Sequence, residues 1–116
     1  MDPQQRLLLE AAYQSFENAG LSLENVRGTN TATYVGSFIR DYETMLSKDT
    51  ELPARYRISG TSVAMLANRL SWFFDLNGPS VALDTACSSS LSALHLACHS
   101  LHSGESDMVC FCRILI

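Results

Sequence analysis

The residues best equipped for chemistry lie in one stretch, VALDTACSSSLSALHLAC, from Val81 to Cys98. A single thiol, Cys87, stands there among small and hydroxylated residues, between an apolar run with strand character and a run with helical spacing. A strand that turns directly into a helix leaves the first N–H groups of that helix without partners, and their positive potential favours a thiolate. The same N–H groups can donate to an oxyanion formed on an attacked thioester carbonyl. Ala86, Ser88, Ser89 and Ser90 let the backbone turn sharply and a substrate carbonyl approach, the logic of a nucleophile elbow with Cys in place of Ser. The same residues also suit a plain packing role, because cysteine is among the most buried residue types and serines are ordinary helix caps. On the residues alone both readings stand.

A nucleophilic cysteine normally works with a base. His95, His99 and His102 follow Cys87, but His95 is already about 12 Å further along the same helix, and the other two lie beyond it. They read as helix-surface or packing histidines. Cys98, His102, Cys110 and Cys112 are the only arrangement with a metal flavour, yet C-x3-H-x7-C-x-C matches no common zinc pattern, and no metal site is expected. The four cysteines follow no secretory signal, since no basic segment precedes an apolar run at Met1, so free thiols are expected in place of a disulfide framework.

The positioning elements must fit within 116 residues, 47% of them hydrophobic, which is enough for one modest core and no second domain. The formal charge is −4 and the eight Lys and Arg are scattered from Arg6 to Arg113, so no basic face is available for nucleic acid. Asp84, the serines and His95 interrupt the apolar stretches, which excludes a membrane span and points to a cytoplasmic setting.

MDPQQRLLLEAAYQSFENAG reads as a helix with Asp2 as cap, Pro3 at the first position, Gln5 closing a capping box and Gly20 as the stop. Its inward stripe is expected along Leu8, Ala11, Ala12, Ser15, Phe16 and Ala19. LSLENVRGTN reads as loop, Thr31 to Phe38 as a short strand ending near Gly36, and Ile39 to Ser59 as short helical turns and loop. A second helix is expected from about Ser62 to Phe74, with Val63, Leu66, Ala67, Leu70 and Phe73 or Phe74 inward, broken by DLNGP. Ser80 to Thr85 is nearly continuous in apolar residues and reads as a buried parallel strand. In the helix that follows, Cys87, Leu91, Leu94, Cys98 and Leu101 recur at intervals of 4, 3, 4 and 3, and little polar surface remains, so this helix is expected to be nearly surrounded by protein. MVCFC begins a third strand after Gly104, and the alternation of helices and apolar strands defines a layered α/β class with a mainly parallel sheet.

Three blocks, MDPQQRLLLEAAYQSFENAG, GTSVAMLANRLSWFFDLNGPS and DTACSSSLSALHLAC, stand in the order and spacing of the N-terminal half of a β-ketoacyl synthase domain, which the chain resembles over nearly its whole length to Asp107. The segment GSFIRDYETMLSKD is similar to that of fungal highly reducing polyketide synthases. The resemblance implies an incomplete N-terminal half of a thiolase-like fold, a partial domain over 1–107 and a divergent tail over 108–116. It implies that Cys87 is the acyl-accepting nucleophile and that its backbone N–H is an oxyanion donor. No cofactor is bound directly in that family; acyl and malonyl thioesters arrive on the phosphopantetheine of an acyl carrier protein, and the parent domain is a homodimer. The family then joins the acyl group to a decarboxylated malonyl unit, assisted by two histidines and a lysine that lie downstream of any position in this chain.

Family domains also begin with an apolar strand ahead of the first helix, at the centre of the sheet. Its absence here implies neighbours left without their middle and a marginally folding chain. MVCFCRILI departs from the family's Ala-, Ile-, Val- and Gly-rich strand, and translation of a retained intron or a shifted frame is the expected origin. Two functional readings therefore remain: a ketosynthase segment whose Cys87 is acylated, or a catalytically incompetent product that at most binds a carrier protein or a partner subunit.

Overall fold

Strand β1, Thr31–Gly36, organises the rest of the molecule. The computed structural model describes residues 3–37, 44–45 and 62–113. In it β1 lies between two parallel partners, β2 Ser80–Leu83 and β3 Met108–Arg113, in a sheet of order β2-β1-β3. All six residues of β1 are buried. The register runs from Thr33 opposite Ser80 to Gly36 opposite Leu83, and from Thr31 opposite Met108 to Gly36 opposite Arg113. The resemblance implied a missing central strand; instead β1 itself fills the centre and is hydrogen-bonded along both edges, so the three strands are contiguous.

Side chains alternate along a strand, so β1 serves two layers. On one face Val35 packs against α1, Pro3–Asn18, and α3, Ala64–Phe73, through Leu8, Ala12, Phe16, Leu66 and Leu70. On the other, Ala32 and Tyr34 meet Ala93 and Ala97 of α4, Ser89–His102. The result is a three-layer α/β arrangement in which a parallel sheet is covered on both faces, as parallel sheets require.

The ends of α1 follow local chemistry. Pro3 opens the described helix, and Gly20 closes it at φ +79°, with its N–H donating to the Glu17 carbonyl (3.0 Å) and the Leu21 N–H to that of Phe16 (2.9 Å). Asp2, and with it the expected capping box, lies outside the described residues. Gln5 is buried and its Oε1 accepts from Arg69 Nε at 2.7 Å, which ties α1 to α3. The inward stripe is narrower than the sequence suggests: Leu8, Ala12 and Phe16 are buried, whereas Ala11, Ser15 and Ala19 are exposed. Small residues satisfy a helical period without having a partner surface to meet.

Three further expectations change. The loop-like LSLENVRGTN contains one helical turn, α2 Leu23–Val26, because Ser22 caps it by accepting from the Asn25 N–H (3.3 Å) and Val26 is fully buried. β2 ends at Leu83, short of Thr85, and is half-buried, because it is an edge strand and not an interior one. Of the two candidate aromatics at the end of α3, Phe74 is buried and Phe73 is half-exposed. The expected turns over 39–59 lie outside the described residues, apart from 44–45. Among the described residues no helix is long and apolar enough to cross a membrane.

Candidate active site at the β2–α4 turn

β2 delivers the chain to Asp84 and Thr85, and a 3-10 turn, Ala86–Ser88, carries it into α4. The reversal depends on Ala86, which adopts φ +56°. A side chain in that left-handed region costs on the order of 1–2 kcal/mol, so the surroundings must hold it there. Ser89 does so. It is buried, and its Oγ accepts from the Thr85 N–H (2.9 Å) while donating to the Ala86 carbonyl (2.7 Å). Asp84 Oδ1 accepts from the Ala86 N–H at 3.0 Å, and the Ser88 hydroxyl donates to the Thr85 carbonyl at 2.8 Å. Thr85 Oγ1 adds contacts to the Ser88 and Ser92 hydroxyls, at 2.9 and 3.1 Å. The serine run is therefore a set of staples on a strained turn.

Cys87 sits at the middle of the turn and is exposed. The backbone bonds of the turn run from the Ser88 N–H to the Thr85 carbonyl and from the Ser89 N–H to the Ala86 carbonyl, so the Cys87 N–H takes part in neither. A thiol and a free-standing donor of one residue thus lie together at the head of α4, the arrangement that an attacked carbonyl needs. His95, His99 and His102 lie exposed further along the helix and do not converge on Cys87.

Helix α4 reaches the sheet through small residues. Ser89, Ala93, Ala97 and Ser100 are its buried positions, and Ser100 shares a hydroxyl contact of 2.8 Å with buried Ser106. This reverses the expected facing: Leu91 is 69% exposed, and Leu94, Leu101 and Cys98 are exposed as well. The physical reason is distance. At Gly36 a Cβ would lie 2.7 Å from the carbonyl carbon and oxygen of Ser89 and 2.9 Å from the Ser90 nitrogen, so the helix start rests directly on strand backbone. Only small side chains permit that approach, and the large leucines are turned outward. Gly36 is the site residue that the sequence reading missed, its signal being a glycine at the end of a strand; Ala86 and Ser89 read in the sequence as small turn residues, without the left-handed φ of the one or the staple formed by the other.

Replacing Ser89 with alanine removes the acceptor of the part-buried Thr85 N–H, and a loss of about 0.5–1.5 kcal/mol is expected in urea denaturation. The rate of Cys87 alkylation by iodoacetamide should change in the same variant, because the staple and the thiol share one turn. Unaltered stability and alkylation would exclude this role for Ser89.

A parallel sheet covered on both faces, with a cysteine on a strained strand-to-helix turn, defines a layered α/β class. The β-ketoacyl synthase N-terminal domain model matches residues 1–112, and the chain belongs to that family, with a thiolase-like α/β fold of which it contains the N-terminal part. Over 108 residues, 93% of this chain, it is 61% identical to a highly reducing polyketide synthase of Didymella fabae, of which it covers 6%. It is 58% identical over 94% of its length to the highly reducing polyketide synthase ausV of Aspergillus calidoustus, covering 4% of that protein. Among solved structures, the ketosynthase from module 6 of the bacillaene synthase of Bacillus subtilis superposes with a TM-score of 0.80 at 36% identity, over 94% of this chain and 17% of that one. An oxazolomycin ketosynthase domain from Streptomyces albus gives 0.76 at 35%, over 100% of this chain and 26% of its own. The chain spans only a small part of each of these relatives.

Proposed function

We propose that this chain is the acyl-accepting segment of a polyketide synthase ketosynthase and that Cys87 is its nucleophile. The observation that carries the reading is the exposed Cys87 thiol at the centre of a strained, stapled turn at the head of α4. In the proposed step the Cys87 sulfur attacks the carbonyl of an acyl-pantetheine thioester on a carrier protein, and the Cys87 N–H stabilises the oxyanion. The pantetheine thiol then leaves with the proton, and the acyl group remains on Cys87. Decarboxylative condensation with a malonyl thioester follows in the parent domain, which the family resemblance describes as a homodimer. The four free thiols suit a reducing compartment such as the cytoplasm.

A second reading is favoured by the uncovered leucines of α4: the chain at most binds a carrier protein or a partner subunit and completes no condensation. One experiment separates the two. Incubation with an acyl-pantetheine thioester, followed by peptide mapping, is expected to place one acyl group on Cys87 and none on the equally exposed Cys98. Even labelling of both thiols would remove the nucleophile assignment. Addition of a malonyl thioester is expected to yield no extended product from this chain alone, and its appearance would show that the segment performs the full reaction.

A further inference from the structure

A second thiol pair lies away from the turn. Cys110 and Cys112 are two positions apart on β3, so both side chains leave the same face of the strand, the one that packs toward α1 and α3. Cys110 is buried in the apolar cluster that includes Leu8, Val35 and Leu66, and Cys112 is half-buried at its edge. Their sulfurs are 3.9 Å apart. The hydrogen bond to Cys112, and then burial, push the Cys110 thiol well above the usual range, while the same bond holds Cys112 below it against the opposing effect of burial. Cys112, the more exposed of the two, is the sulfur that an incoming reagent meets first.

The spacing selects what can join the two sulfurs. Direct closure to a disulfide needs an S–S distance of about 2.05 Å, and positions i and i+2 of a strand hold their Cα atoms about 6.6 Å apart, at the wide end of disulfide geometry. Two bonds of about 2.3 Å from one pyramidal central atom, meeting at about 100°, instead span roughly 3.5 Å, within a few tenths of an ångström of the separation in the fold. The pair thus has the bite of a chelate around a single thiophilic atom. Zinc demands four donors, and among the described residues no group of three or more His, Cys, Asp or Glu side chains gathers. The apolar surroundings also oppose a charged bis-thiolate ion. An occupant that brings its own third substituent and leaves a neutral product meets every constraint.

We propose that Cys110 and Cys112 form a dithiol site for a monosubstituted trivalent arsenical. In the reaction R–As=O + 2 protein–SH → R–As(S–protein)2 + H2O, two As–S bonds form and two S–H bonds break. Both protons leave with the arsenical's oxygen as water, and no electron is transferred. Cys112 attacks first and Cys110 closes the ring. Cys87, in the turn ahead of α4, and Cys98, on α4 itself, stand apart and offer one bond each, which a monothiol readily exchanges.

The test is titration of the 116-residue chain with phenylarsine oxide, read by intact mass spectrometry after a wash with excess glutathione. One bridged adduct per chain is expected to survive the wash and to be released by 2,3-dimercaptopropanol. Cys112→Ser, at a half-exposed position, and Cys110→Ser are each expected to lower retention by about tenfold or more, and Cys98→Ser to leave it unchanged. If Cys110→Ser does not fold, Cys112→Ser decides. Unfolding the chain in urea should lower retention by a similar factor, because the fold and not the short spacing sets the bite. Retention that survives Cys112→Ser, or that is equal in urea, would overturn the proposal.

Discussion

Gly36→Ala is expected to lose at least about 3 kcal/mol of stability and to slow acyl transfer to Cys87 by roughly a hundredfold. The φ of Gly36 is not the issue; the space is. The added methyl falls 2.7 Å from the carbonyl carbon and oxygen of Ser89, nearer than real Cβ contacts come, and the atoms in its way are backbone. No rotamer change relieves the clash, so α4 must lift from the sheet or β1 must bend. Either movement pulls on Ser89, whose hydroxyl holds Thr85 and Ala86, and so displaces the thiol two residues before it. Urea denaturation and the rate of Cys87 acylation measure the two effects. A variant with wild-type stability and wild-type acylation would mean that α4 does not rest on β1 at this point.

Phe74→Ala carries the second large expected effect, a destabilisation of about 3–5 kcal/mol against total stabilities of about 5–15 kcal/mol for domains of this kind. Phe74 is completely buried and meets Phe16 of α1 edge-on, with ring centroids 5.2 Å apart at an interplanar angle of 70°. It also meets its neighbour Phe73 at 5.0 Å. The ring thus fastens α1 to the end of α3, and its removal leaves a cavity that a sheet-backed layer closes poorly. Phe73, 47% exposed, is the internal control: Phe73→Ala should cost about 1 kcal/mol or less. Equal costs at the two positions would mean that the layer is packed differently.

Much of the layered fold is legible in the sequence because its signals are local. Pro3 and Gly20 mark α1, DLNGP ends α3, and the apolar run after it announces a parallel strand. The facing of α4 is not legible, for a specific reason: the helix has two stripes of helical period. One is large and apolar, Leu91, Leu94 and Leu101; the other is small, Ser89, Ala93, Ala97 and Ser100. Ranking by hydrophobicity selects the first, whereas close approach to strand backbone selects the second. Ala86 shows the same limit at the site. Cys87 is marked by its company of serines, but nothing in an alanine announces a left-handed backbone, which becomes visible only with the bonds that hold it.

The central position of β1 also fixes the order in which the chain can fold as it is synthesised. Its first edge is satisfied once β2 is made, through the pairs from Thr33–Ser80 to Gly36–Leu83. Its second edge waits for Met108–Arg113, after the turn and the whole of α4 have been added. Through that interval β1 has one open edge, and the stapled turn has no completed sheet beneath it. Closing the longer loop adds only a fraction of a kcal/mol of chain entropy, since that cost grows with the logarithm of length. The delay therefore acts through exposure time and not through stability, and the last six strand residues set the moment at which β1 stops being available to other chains, with β2 and β3 left as the outer strands.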